Sequence, residues 1–319
     1  MRVLSGMQPS GDPHIGNYFG SIKPNIELMG EEENIYIVVD LHALTSVRDA
    51  NELREYRMNL VKDLLACGFD PEKGILFFQS DVPEHAELLW ILSCITPMGL
   101  LERAVSYKDK LAQGLEPNHG LFAYPVLQAA DILLYDSDLI PVGKDQKQHI
   151  EMTRDIAQKF NNAYGDGVLK EPDVQIREDV AVVPGTDGRK MSKSYGNTIP
   201  LFADDKKTEK IIMGIVTDSK GVEEPKDPEN CNVFKIHSLF LDDDGKKELE
   251  DKYRAGGLGY GDAKKMLAEE FFNYFGDMRK KRLEISDESA KEVVKNGAAK
   301  ARKIAEKTMD RVRKSVGLR

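Results

Sequence analysis

The chain has 319 residues, 41% apolar and 31% charged, which gives room for two hydrophobic cores and is ordinary globular composition without internal repeats. Its three cysteines, Cys67, Cys94 and Cys231, stand far apart without C-x-x-C spacing, so a disulfide framework or zinc site is not expected and a reducing cytoplasm is. The formal charge is −9, yet residues 279–319 carry 14 Lys and Arg against 6 Asp and Glu, a surplus of +8 that leaves −17 on the rest.

A local basic face of this kind suits RNA, although a solvated helix face accounts for it equally well. Few aromatics interleave with these charges, so base stacking is not indicated there. No apolar run approaches membrane-spanning length and no leader precedes the first strand, so a soluble, unexported protein with no membrane partner is expected.

In chain order, residues 2–6 read as a short strand running into a Gly/Pro/Ser turn and a helix that begins near His14. A helix N-terminus offers unpaired N–H groups and partial positive charge to a phosphate. Gly16 lets a nucleotide approach the backbone, and His14 can donate to a phosphate oxygen as the neutral or the charged ring. Alone, the segment is also a well-capped strand–turn–helix start. Residues 35–40 form a continuous apolar run ending in a carboxylate, as in a buried parallel strand. His42 follows at its C-terminal end, where ligands of open α/β sheets bind, and a capping or core role is equally open.

Leu53, Tyr56, Leu60 and Leu64 mark a helix over 51–66, and 75–80 is the next strand. The helix at 84–95 turns Leu88, Leu89, Ile91 and Leu92 toward a core, and 97–103 breaks and restarts it. A polar stretch over 108–120 could fold over a bound nucleotide. A helix then enters through Tyr124-Pro125, with Val126, Ala129, Ala130 and Leu133 on one stripe and Tyr124, Gln128, Asp131 and Tyr135 on the other. A buried carboxylate such as Asp131 needs a partner, and one candidate is an indole N–H, a donor with no acceptor capacity. A site waiting for that donor would reject phenylalanine.

Residues 137–142 read as a strand running into Gly143-Lys144-Asp145-Gln146. A glycine and a carboxylate at a strand's C-terminal end suit ribose hydroxyls, with Gln146 left for a substrate ammonium. A helix at 148–160 and a strand at 180–183 lead to Gly188-Arg189-Lys190-Met191-Ser192-Lys193-Ser194. This segment is too polar for a core and reads as a surface loop able to close. Two ammonium groups there can neutralise charge building on a triphosphate, though a solvated basic turn is the plainer alternative. Beyond Tyr195 come helices at 204–216, 262–282 and 287–315, an acidic loop at 218–230, and a Gly-rich run at 256–261 that follows no strand.

The strings His14-Ile15-Gly16-Asn17 and Lys190-Met191-Ser192-Lys193-Ser194 resemble the two signature motifs of class I aminoacyl-tRNA synthetases. Gln8-Pro9-Ser10-Gly11, the segments around Asp40, Tyr124 and Asp131, and Pro141-Val142-Gly143-Lys144-Asp145-Gln146 are similar to the bacterial-type tryptophanyl branch over essentially the whole chain. The resemblance implies an α/β fold: a Rossmann-like doubly wound parallel sheet over 1–195, then an all-α anticodon-binding domain over 196–319 whose last helix, about 287–315, could pack back. It implies a homodimer that activates L-tryptophan with ATP and Mg²⁺ and passes it to tRNA(Trp). The sister tyrosyl enzyme is the nearest rival.

Carried over residue by residue, the catalytic set is His14, Asn17, Lys190 and Lys193. ATP contacts fall on Gln8, Pro9, Ser10, Gly16, Asn17, Lys110, Gly143, Lys144, Asp145 and the loop Lys190, Met191, Ser192, Lys193, Ser194. Tryptophan contacts fall on Asp131, Tyr124, Gln128, Gln146 and His42. Protein side chains supply no metal ligands. Asn17 stands where other class I enzymes have histidine, and Gln128 where many relatives have methionine. Some relatives hold an iron–sulfur cluster on four cysteines, of which only Cys231 is present here, so no cluster is expected.

Overall fold

A computed structural model describes residues 1–30, 33–104, 118–143, 147–176 and 183–319, with backbone alone at 142 and 173–176. Five strands, β1 (Arg2–Met7), β2 (Glu33–Val38), β3 (Gly74–Phe78), β4 (Leu139–Val142) and β5 (Asp173–Ile176), form one parallel sheet in the order β3-β2-β1-β4-β5. In β2 and β3 nearly every residue is buried, as expected of parallel strands covered on both faces. The sheet grows one way from β1 to β2 and the other way to β4, so a crevice opens beyond the C-terminal ends of β1 and β4. The expected doubly wound α/β sheet is therefore observed.

The helices that surround it are α1 (Ile15–Asn17), α2 (Lys23–Glu27), α3 (Asp40–Ala43), α4 (Ala50–Ala66), α5 (Glu84–Ser93), α6 (Met98–Glu102), α7 (His119–Leu133) and α8 (Lys147–Tyr164). A π-helical turn, Tyr18–Ile22, joins α1 to α2. Helix α7 begins earlier than its Tyr-Pro dipeptide implies. The Asn118 side chain caps it by accepting from the Leu121 N–H at 2.9 Å, and Pro125 lies inside the helix. Residues 205 onward are helical: α9 (Asp205–Met213), α10 (Asn232–His237), α11 (Asp243–Ala255), α12 (Tyr260–Glu284) and α13 (Asp287–Ser315). No helix among the described residues is long and apolar enough to cross a membrane.

The sheet has two cores, one on each face, and α13 closes both. Its Ala290 and Val294 join the core that contains Tyr36, Leu60, Phe78, Leu267 and Phe271. Its Ala301, Ala305 and Met309 join the opposite core with Ile37, Phe77, Leu88 and Ala130. Between them Gly297 sits on edge strand β3 so closely that a Cβ would overlap the Leu76 carbonyl oxygen. The helix thus straddles and covers the sheet's β3 edge, which would otherwise offer unpaired backbone groups.

Its basic residues reach back in the same way. Arg302 pairs with Glu84 at 3.3 Å, Arg311 with Asp136 at 2.6 Å, and Arg313 with Glu87. Arg282 on α12 pairs with the buried Asp63 and donates to Asn59 at 3.0 Å. Part of the +8 read as a basic face is therefore engaged in ion pairs with the sheet half rather than offered to a partner.

Candidate active site

Beyond β1 the chain makes a tight turn, with the Ser10 N–H donating to the Gln8 carbonyl at 3.0 Å. The Gln8 amide donates to the Ser46 hydroxyl at 3.0 Å and the His42 carbonyl at 3.4 Å, tying this turn to the end of β2. His14 then caps α1 reciprocally with Asn17. The Asn17 N–H donates to His14 Nδ1 at 3.3 Å, and the His14 N–H donates to Asn17 Oδ1 at 3.1 Å. Because Nδ1 accepts, the hydrogen-bond network assigns the ring proton to Nε2.

Burial, followed by the nearby Lys193 charge, lowers the His14 pKa from 6.5 to about 4. At neutral pH His14 therefore offers one uncharged Nε2–H, which resolves the choice the sequence left open. Asn17 uses its carbonyl end in the cap, and its amide nitrogen is the donor end that remains.

The lysine loop comes to this turn across the whole sheet half. A Cβ on Gly16 would lie 3.4 Å from the Met191 Cβ, so the two motifs meet here, and 3.0 Å from the His14 ring, which would have to give way by a few tenths of an ångström. Lys193 Nζ donates to the Gly11 carbonyl at 2.7 Å. The Ile15 N–H donates to the Ile199 carbonyl at 3.1 Å, and the Leu201 N–H to Pro13 at 3.0 Å. Met191 is buried in the core beside Ile15 and Val183, so its side chain anchors the loop from below.

Buried Asn197 organises the loop from within. Its Oδ1 accepts from the Ser192 N–H at 2.8 Å, and its Nδ2 donates to Asp187 at 2.7 Å and to the Lys190 carbonyl at 3.1 Å. Arg189 pairs with Asp187 and lies 4.5 Å over the Tyr195 ring, and the Ser192 and Ser194 hydroxyls bond at 2.9 Å. Lys193 keeps an exposed flank, but protein crowds its ammonium. That desolvation lowers its pKa from 10.5 to about 8, with Asp12 and Asp63 pulling the other way. It is still a cation at pH 7.

Past the ends of β2 and β3 lies a polar cluster inside the protein. Asp131, 4% exposed, accepts from Gln79 Nε2 at 2.6 Å and His85 Nδ1 at 2.7 Å on Oδ1, and from His42 Nε2 at 2.9 Å on Oδ2. Burial alone would raise its pKa, but the hydrogen bonds from His42 and His85 outweigh that and bring it down to about 2. The carboxylate is thus ionised and held by protein donors, partners the sequence did not name beside its one candidate, the indole. Tyr124 packs edge-on to His42 at 6.1 Å between ring centres, and its hydroxyl lies 3.2 Å from His149 Nε2. Gln128 is half-buried on the same helix, and Gly143 follows β4.

Lys110, Lys144, Asp145 and Gln146, and most of the strand expected at 180–183, lie outside the described residues. Among the residues described, no group of three His, Cys, Asp or Glu side chains could hold a metal, and Cys67, Cys94 and Cys231 are unpaired thiols.

The family model for class I tRNA synthetases (W and Y) matches residues 1–276. The chain belongs to that family. Within it, the tryptophan–tRNA ligase of Fusobacterium nucleatum is 54% identical over 319 residues, covering 99% of this chain and 98% of the relative. The tryptophan–tRNA ligase of Campylobacter jejuni strain RM1221 is 51% identical with complete coverage of both chains. A crystal structure of the Campylobacter jejuni tryptophanyl-tRNA synthetase complexed with ADP and tryptophan superposes with a TM-score of 0.93, covering 99% of this chain and 100% of that one.

Three residues of this synthetase site escaped the sequence reading: Gln79, His85 and Asn197. His85 had a signal, because it shares the 85–88–92 stripe with Leu88 and Leu92, and a histidine on an otherwise apolar buried face calls for a polar partner.

Proposed function

We propose that the chain activates L-tryptophan with ATP and transfers it to the 3′ end of tRNA(Trp). The tryptophan carboxylate attacks the α-phosphorus, the bond to the bridging oxygen breaks, and pyrophosphate leaves. A tRNA ribose hydroxyl then takes the aminoacyl group and AMP departs. The attacking carboxylate is already ionised, so no base is required, and catalysis rests on placement and charge neutralisation. His14 Nε2–H and the Asn17 amide steady the phosphates, while Lys190 and Lys193 take the charge developing on pyrophosphate. Mg²⁺ would arrive on the phosphate oxygens.

The observation that carries this reading is the closure of the two motifs on one cleft, through Gly16 on Met191 and Lys193 on Gly11. The Campylobacter jejuni relative, which holds ADP and tryptophan, supports the same pair of ligands here. Asp131 would read the indole N–H, with Tyr124, Gln128, His42 and Gln146 around the amino acid. We place nucleotide and amino acid on 1–195 and the anticodon on 196–319. The homodimer would form about the exposed Trp90 and Met98 of α5 and α6, in the cytoplasm.

Tryptophan-dependent ATP–pyrophosphate exchange and charging of tRNA(Trp) test the reaction. Exchange driven by tyrosine and not by tryptophan would replace it with the sister activity.

A further inference from the structure

His85 plays no part in the reaction as written, yet it is fully enclosed beside the amino-acid site, at 0% exposed. Because an ionised carboxylate only accepts, His85 Nδ1 must donate to Asp131 Oδ1 at 2.7 Å. Its Nε2 is then the acceptor, and the buried Tyr135 hydroxyl donates to it at 2.7 Å. Phe77 and Tyr135 flank the ring with centroids 6.2 and 5.4 Å away, so neither tautomer nor orientation is free to change. His85 and Gln79 together place two donors on Oδ1, and neither reaches Oδ2.

The other oxygen faces His42, the one member of the cluster that reaches the surface, with its side chain 12% exposed. A carboxylate has about four acceptor positions, and three donors among the described residues leave one, on Oδ2. We propose that His85, fixed by Tyr135, is a positioning residue that turns Asp131 so that its single vacant acceptor position meets the substrate ring and admits a donor-only N–H in preference to a phenol.

A phenol hydroxyl brings an acceptor oxygen as well, and His85 and His42 have already given their N–H to the carboxylate, as Gln79 has one of its two amide hydrogens. The inference deepens the tryptophan reading and rests on it.

The test uses the full-length enzyme in ATP–pyrophosphate exchange with tryptophan and with β-(3-benzothienyl)alanine, the isostere in which sulfur replaces the indole N–H. His85→Ala should raise the KM for tryptophan on the order of tenfold, the factor that about 1.4 kcal/mol makes, and leave the KM for the isostere nearly unchanged. His85→Asn, whose amide can still donate to Oδ1, should restore most of the discrimination. Tyr135→Phe, the milder change should His85→Ala fail to fold, should lose part of it. Equal weakening of both substrates in these variants, or discrimination unchanged in Tyr135→Phe and His85→Ala, would overturn the inference while the function stands. A wild-type enzyme without tryptophan-dependent exchange would overturn both.

Discussion

Replacing Asp131 with asparagine changes one atom in the middle of the buried cluster, and the geometry fixes what should follow. The asparagine carbonyl can take the Oδ1 position and keep the donors from Gln79 and His85, which lie at 2.6 and 2.7 Å. Both bonds lose their charge assistance, at roughly 1 kcal/mol each, so the folded state should lose about 2 kcal/mol. The amide nitrogen falls at Oδ2, where it meets His42 Nε2 at 2.9 Å and can no longer accept from a substrate N–H. A buried donor left unpaired costs about 1–3 kcal/mol, which predicts a tryptophan KM about ten- to a hundredfold higher. Pyrophosphate exchange across a tryptophan titration, with calorimetric melting alongside, measures both effects. A folded variant whose KM stays within about threefold of wild type would refute the reading of Asp131 as the indole acceptor.

Lys193→Ala removes the cation bonded to Gly11 and should slow adenylate formation on the order of a hundredfold, leaving tryptophan affinity unchanged by calorimetry. Equal losses in both would remove the pyrophosphate role. His14 has a native pKa of about 4 against the ordinary 6.5, so its stabilisation is full above pH 6.5 and is lost as pH falls from 6.5 toward 4. Its ring resonances should accordingly stay flat from neutral pH down to about 5, and a midpoint near 6.5 would contradict the neutral donor. Gly297→Ala should lower the melting temperature by several degrees, since the new Cβ collides with the Leu76 carbonyl; an unchanged melting temperature would mean that α13 does not lie on β3 in solution.

Local chemistry was legible in the sequence, and tertiary chemistry was not. The helix foreseen over 287–315 is the helix observed, because its start is set locally: the Ser286 hydroxyl accepts from the Ser289 N–H at 3.1 Å. The strand expected over 75–80 stops at Phe78, because Gln79 turns its side chain to take the Leu41 N–H at 3.1 Å and give its own to Asp131. No local pattern could announce that, since the partners lie on α3 and on α7. The same limit hid the reach of α13: its basic residues were countable, but whether they faced solvent or Glu84, Asp136 and Glu87 depended on packing across the sheet edge. Within the site, the resemblance supplied Asp131 and the two lysines, while of the residues that hold them His85 left a faint periodic signal and Asn197 emerged from geometry.

A crystal structure of this chain with tryptophan and a non-hydrolysable ATP analogue tests the central claim most directly. The account predicts the indole nitrogen within about 3.2 Å of Asp131 Oδ2 and the triphosphate held between His14 Nε2 and the ammonium of Lys193. An indole turned away from Asp131, or a triphosphate bound outside the cleft between the two motifs, would contradict it.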